Sequence, residues 1–72
     1  MAFMPQSVER FAQLGANIEI TADAGFIPQS VEQIIRIAVA NGAHVTVDAN
    51  PFMPQSVDQF IQIGGRNVTI RV

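Results

Sequence analysis

The chain writes nearly the same heptad three times: Phe3-Met4-Pro5-Gln6-Ser7-Val8-Glu9, Phe26-Ile27-Pro28-Gln29-Ser30-Val31-Glu32 and Phe52-Met53-Pro54-Gln55-Ser56-Val57-Asp58. The copies begin 23 and then 26 residues apart, the length of one helix plus one strand, so the sequence reads as a short tandem array. Each heptad looks like a helix start. Proline is favoured at the first helical position, where its missing N–H would have had no partner. In that frame each Phe falls just before the cap and each Val at the fourth helical position, the two ends of a hydrophobic staple. The acid that follows (Glu9, Glu32, Asp58) is expected near the positive end of the helix dipole. A second frame makes Ser7, Ser30 and Ser56 the N-caps. The proline-first frame is preferred because it also accounts for the phenylalanines.

Beyond each heptad, apolar residues recur at helical spacing. They are Val8, Phe11, Ala12 and Leu14, then Val31, Ile34, Ile35, Ala38 and Val39, then Val57, Phe60, Ile61 and Ile63. Each helix then meets a glycine stop: Gly15, Gly42 and Gly64-Gly65. Strict alternation follows in Ile18-Glu19-Ile20, Val45-Thr46-Val47 and Val68-Thr69-Ile70, the pattern of strands with one apolar and one polar face. The fold class is therefore α/β, in the order αβαβαβ. Strands joined through helices run parallel with right-handed crossovers. Strands buried on both faces would read as continuous apolar runs. The alternation instead predicts a sheet in the order 1-2-3, all helices on one face and the other face polar. One domain, 1–72, is expected, made of units 1–23, 24–50 and 51–72.

Aligned on their glycines, the strand segments are Gly15-Ala16-Asn17-Ile18-Glu19-Ile20-Thr21-Ala22-Asp23, Gly42-Ala43-His44-Val45-Thr46-Val47-Asp48-Ala49-Asn50 and Gly65-Arg66-Asn67-Val68-Thr69-Ile70-Arg71-Val72. This pattern resembles the LxLxxN segment of leucine-rich repeats, and Gly25-Phe26-Ile27-Pro28-Gln29-Ser30-Val31 is similar to the I-P-x-S-[LI] stretch that follows it. Ile and Val stand where that family has Leu, and only Asn50 matches its asparagine. The resemblance implies an α/β solenoid whose sheet face binds other proteins.

A chain of this length buries only about 60% of its unfolded surface. Half of it is apolar (49%) and it has no cysteine to staple it, so missing burial is expected to come from a homo-oligomer, or from another protein. Arg10, Arg36, Arg66 and Arg71 are scattered, Lys is absent and net charge is −2, which disfavours nucleic acid. No apolar run nears the roughly 20 residues of a membrane span. The first residues lack a basic segment and apolar core of a leader, so a cytoplasmic protein is expected.

Chemistry-bearing residues gather on the predicted polar sheet face. Its rows are Asn17, His44 and Asn67, then Glu19, Thr46 and Thr69, then Thr21, Asp48 and Arg71. His44 as a base would need Glu19 or Asp48 to orient it. No nucleophile–base–orienter set is specified, so no enzyme, metal or cofactor is expected. Asp48 with Arg71 is a natural cross-strand ion pair. The interaction face is assigned to Glu19, His44, Thr46, Asp48, Thr69 and Arg71. The helix starts offer an alternative: Gln6, Ser7, Gln29, Ser30, Gln55 and Ser56 could bind an anion. The simpler reading has serine satisfying helix-end amides and glutamine forming a ladder between units. Met4 and Met53 are taken as core or rim packing. The leading expectation is a self-associating interaction module that uses its strand edges or its bare sheet face.

Overall fold

The computed structural model describes residues 4–72. The elements follow in the order α1 (Pro5–Gln13), β1 (Ile18–Ile20), a 3-10 turn (Ala22–Ala24), α2 (Pro28–Ala40), β2 (Val45–Asp48), α3 (Pro54–Gly64), a second 3-10 turn (Gly65–Asn67) and β3 (Val68–Arg71). Each helix opens on its proline. The preceding Met4, Ile27 and Met53 are the caps, in extended backbone with φ of −73 to −77° and ψ of 150 to 157°.

These caps work through the backbone alone, and no side-chain cap bond forms at any of the three. The cap carbonyl accepts from the amides of both the third and the fourth helical residue. Met4 takes Ser7 at 3.0 Å and Val8 at 3.3 Å, and Ile27 and Met53 do the same for their own helices. Serine is thus inside the helix rather than its cap, and it does not satisfy the end amides. Glu9, Glu32 and Asp58 lie at the fifth helical position, beyond the first turn in which the dipole acts. Glu32 instead pairs with Arg36 one turn on, at 3.5 Å. The Phe3–Val8 staple lies outside the described residues. Its counterparts Phe26 and Phe52 are half-buried against the core, and Phe52 meets Phe60 edge-on with ring centroids 5.2 Å apart.

Helices α1 and α2 end alike. The amides of Gly15 and Ala16 bond back to Ala12 and Phe11, and those of Gly42 and Ala43 to Val39 and Ala38. This is the Schellman stop, which needs a left-handed residue just past the cap; Gly42 supplies it at φ +71°. Helix α3 ends differently. Gly64 stays helical and buried, while Gly65 turns the chain at φ +54°. A Cβ on Gly64 would overlap Val68 and lie 2.9 Å from Ile35 Cγ2, so a bare backbone is what lets α3 sit this close to β3 and α2.

The strands form one parallel sheet in the order β1-β2-β3. Ile18 pairs with Val45 and Val45 with Val68, the register that places the aligned strand segments residue against residue. Helix α1 packs beside α2, and α2 beside α3. The buried core is Val8 and Ala12 of α1, Ile20 of β1, Val31, Ile34, Ile35 and Ala38 of α2, Val45 and Val47 of β2, and Phe60 of α3, with Ala43 just before β2. At about 25 cal/mol per Å² of apolar surface, each fully buried Ile or Val stabilises by roughly 1.5–3 kcal/mol, so α2 and β2, which hold most of these residues, carry most of the fold. Several residues of the expected apolar faces are exposed instead: Phe11, Leu14, Val39 and Ile61, as are the caps Met4, Ile27 and Met53. A cap residue precedes the first helical turn, so its side chain has no facing helix to lie against.

Candidate functional site

Side chains at the starts of the strands lace the sheet together. Ile18 N–H donates to the His44 carbonyl at 2.8 Å. One residue earlier the backbone ladder stops, and the Asn17 side chain takes over: its Oδ1 accepts from His44 N–H at 2.9 Å. On the other side of β2, Asn67 Nδ2 donates to the Ala43 carbonyl at 3.0 Å. Two asparagines on the edge strands' side thus extend the pairing of the central strand. Their place in one row with His44 was legible from the aligned glycines; their bonding to backbone was not.

Across the sheet, the long side chains ignore the row order. His44 Nε2 and Thr69 Oγ1 lie 2.6 Å apart, a hydrogen bond whose direction the imidazole tautomer sets. Arg71 reaches from β3 over β2 to Glu19 on β1, 2.7 Å from Nη1 to Oε2. Arg71 is directly opposite Asp48 in register, yet the expected Asp48–Arg71 pair does not form. Asp48 turns to its own loop, where Oδ1 accepts from Asn50 N–H at 3.0 Å and Asn50 Nδ2 at 2.8 Å. A carboxylate at a strand end finds a local amide two residues on at less entropic cost than a long arginine side chain on the next strand. Thr46 is half-buried in the middle of this polar surface.

This pairing decides what the face can do chemically. His44 beside the Thr69 hydroxyl has the reach of a base and a nucleophile. Among the described residues, the Glu19 carboxylate is held by Arg71 and that of Asp48 by Asn50, so neither orients the imidazole. Among the described residues no group of three His, Cys, Asp or Glu side chains could hold a metal ion. Asp23, in the turn after β1, accepts from the Thr21 hydroxyl at 2.6 Å. That bond, with the Asp23 backbone N–H, holds its carboxyl below the usual value.

At the helix starts, Gln6, Gln29 and Gln55 are exposed and Ser7, Ser30 and Ser56 half-buried. Their side chains make no hydrogen bond among the described residues, so no glutamine ladder joins the units.

The sheet's two edges are the remaining feature. β1 and β3 each pair on one side only. Ile18 bonds to β2 through its backbone, so by strand alternation the amide and carbonyl of Glu19 face outward. At the other edge the Arg71 carbonyl accepts from Ala49 N–H at 2.9 Å, so the backbone groups of Ile70 face outward. No described helix is long and apolar enough to cross a membrane. The geometry defines a class: a small α/β domain with a parallel three-stranded sheet and two unpaired edges. Comparison with protein-family models, curated proteins and solved structures finds no match to this chain.

Proposed function

We propose that the chain is a repeat-built structural and protein-interaction module that self-associates. In this reading its three helix–strand units form a one-sided solenoid of the leucine-rich-repeat type, with the helices together on one sheet face and the laced polar residues on the other. The observation that carries it is the pair of open edges on a sheet whose strands follow chain order. An unpaired edge is a template for another strand, and neither edge here is shortened by proline or turned away by a bulge. The polar face supports the same reading in a negative way: its charged and hydrogen-bonding groups are spent on one another. Size-exclusion chromatography with light scattering tests the proposal from 1 to several hundred micromolar, on the order of the range where such edges pair. A single species of monomer mass across that range refutes it.

A second reading has one specific observation in its favour. The serine and glutamine side chains at the three helix starts are not consumed by capping. They are free to meet a small anion such as phosphate or a dicarboxylate at the positive ends of the helices. Titration with either anion, followed through the Gln29 and Ser30 amide signals, decides it: no movement with any anion removes the reading.

A further inference from the structure

Equivalent residues of the three units differ in burial, and the differences follow a rule. Phe11, Ile34 and Phe60 occupy one position. Ile34 and Phe60 are wholly buried, whereas Phe11 is 38% exposed. One turn further, Ile37 and Ile63 pack on the core, whereas Leu14 is 71% exposed. The position of Leu14 is open in the first unit and covered in the other two, so it faces the preceding unit. The opposite stripe behaves the other way. Ala12 and Ile35 are buried but their equivalent Ile61 is 47% exposed; Val8 and Val31 are buried but Val57 is half-exposed. These positions lose their cover in the third unit only, so they face the following one. Spacings of three and four residues put each set on one side of its helix.

The strands obey the same rule. On β1 the backbone of Ile18 faces β2; on β3 that of Arg71 faces back to β2, leaving its strand neighbour Ile70 directed outward. Outward Glu19 at one end and outward Ile70 at the other are therefore two halves of a pairing that the chain makes twice internally. Among the described residues, nothing packs on the outer side of α1–β1 or on the outer side of α3–β3. Solenoids normally close such ends with polar caps. Here Leu14 marks one end and Ile61 the other.

We propose that copies of this chain associate head to tail, the α3–β3 end of one seated on the α1–β1 end of the next, so that the interface between copies repeats the α1–α2 and α2–α3 interfaces within each. The occupant of each bare end is a second copy because the fitting surface is already in the chain, at its other end. This rests on the self-association proposed above and gives it a mode. The contact is heterologous: it uses two different patches, so it does not stop at two copies.

Arginine at each end tests it. Leu14→Arg blocks the head and Ile61→Arg blocks the tail, both at exposed positions, with circular dichroism to check the fold. Light scattering is expected to show wild-type species larger than a dimer, each variant alone as a monomer, and an equimolar mixture as a two-chain complex through the remaining head and tail. A wild type that stops at a dimer, a variant that assembles alone, or a mixture that stays monomeric overturns the head-to-tail mode and leaves self-association standing. A monomeric wild type overturns both. Should an arginine variant fail to fold, the absence of native cysteine gives a second measurement. Single Leu14→Cys and Ile61→Cys chains, mixed with a short bis-maleimide, are expected to cross-link to each other rather than each to itself; equal yields of all three products overturn the mode.

Discussion

Gly64→Ala probes how tightly the last unit closes on the core. The added Cβ would overlap Val68 Cγ2 and lie 3.0 Å from Val68 Cβ and 2.9 Å from Ile35 Cγ2. A rotation of Val68 moves its Cγ2 but not its Cβ, and a β-branched side chain has few rotamers to turn to. Ile35 is fully buried, so its side chain cannot swing out to solvent to make room. Relief must come from α3 lifting off β3, and overpacking of this kind costs about 1–3 kcal/mol. Replacing glycine in a helix returns up to about 1 kcal/mol. The net expectation is a loss of about 1–2 kcal/mol. For a domain of this size that lowers the melting temperature by about 4–16 °C.

Thermal and urea unfolding by circular dichroism, at one fixed protein concentration, measure the loss; concentration matters because association stabilises the folded state. The decisive comparison is the same substitution on a Val68→Ala background. With the valine methyls gone, the penalty of Gly64→Ala should shrink by at least about 1 kcal/mol, a coupling well outside the scatter of independent sites. Equal penalties in both backgrounds, or an alanine variant more stable than the native chain, would refute the close seating of α3 on β3.

Three further outcomes are expected. Asn17→Ala removes the acceptor for His44 N–H, so stability should fall by about 1 kcal/mol and hydrogen exchange at the His44 amide should quicken, while the Asn67–Ala43 bond keeps the β2–β3 side unchanged. Glu19→Gln should cost under about 1 kcal/mol, because the Glu19–Arg71 pair is half-exposed on both sides, and added salt should shrink the difference further. Thr21→Val should raise the Asp23 titration midpoint toward the ordinary carboxylate value, read by carboxyl carbon NMR; since the native midpoint is lowered, the contribution of this bond is whole above the ordinary value and lost as pH falls through the folded one.

The prolines, glycines and strand alternation made the elements and the register legible, because each acts within a few residues of itself. Pro28 starts a helix by its own ring, and Gly42 stops one by its own φ. The alignment on Gly15, Gly42 and Gly65 put Ile18, Val45 and Val68 side by side, as the sheet does. What failed was side-chain partnership. Asp48 and Arg71 face each other in register, but a guanidinium on a long stem reaches past the nearest carboxylate, and Asp48 has a closer donor in its own turn. Serine at the third helical position looks like a cap by residue type, but the helix has already begun at the proline and the serine's own amide donates to the cap carbonyl three residues back. Gly64 and Gly65 read as one stop, yet only contact with Val68 and Ile35 shows that they have separate tasks.

The residues repeated in the three sequence copies carry little information about the two ends of the sheet, since each serves the helix and strand beside it. The ends are written in residues of like chemistry and unlike surroundings. Phe11 and Phe60 are the same amino acid at the same position, and one is partly exposed while the other is wholly buried. No propensity or pattern separates them; the difference lies in what surrounds each. The same holds for Ile35 and Ile61, buried and half-exposed, where the difference is a following unit. If a second copy packs on each end as proposed, Leu14 and Ile61 should both lose exposure on assembly while Val39 on the middle helix does not, since α2 already has a helix on each side. Hydrogen exchange and methyl–water relaxation of the assembled chain separate these cases. Protection of Val39 together with Ile61 would place the contact on the outer helix surface rather than at the ends.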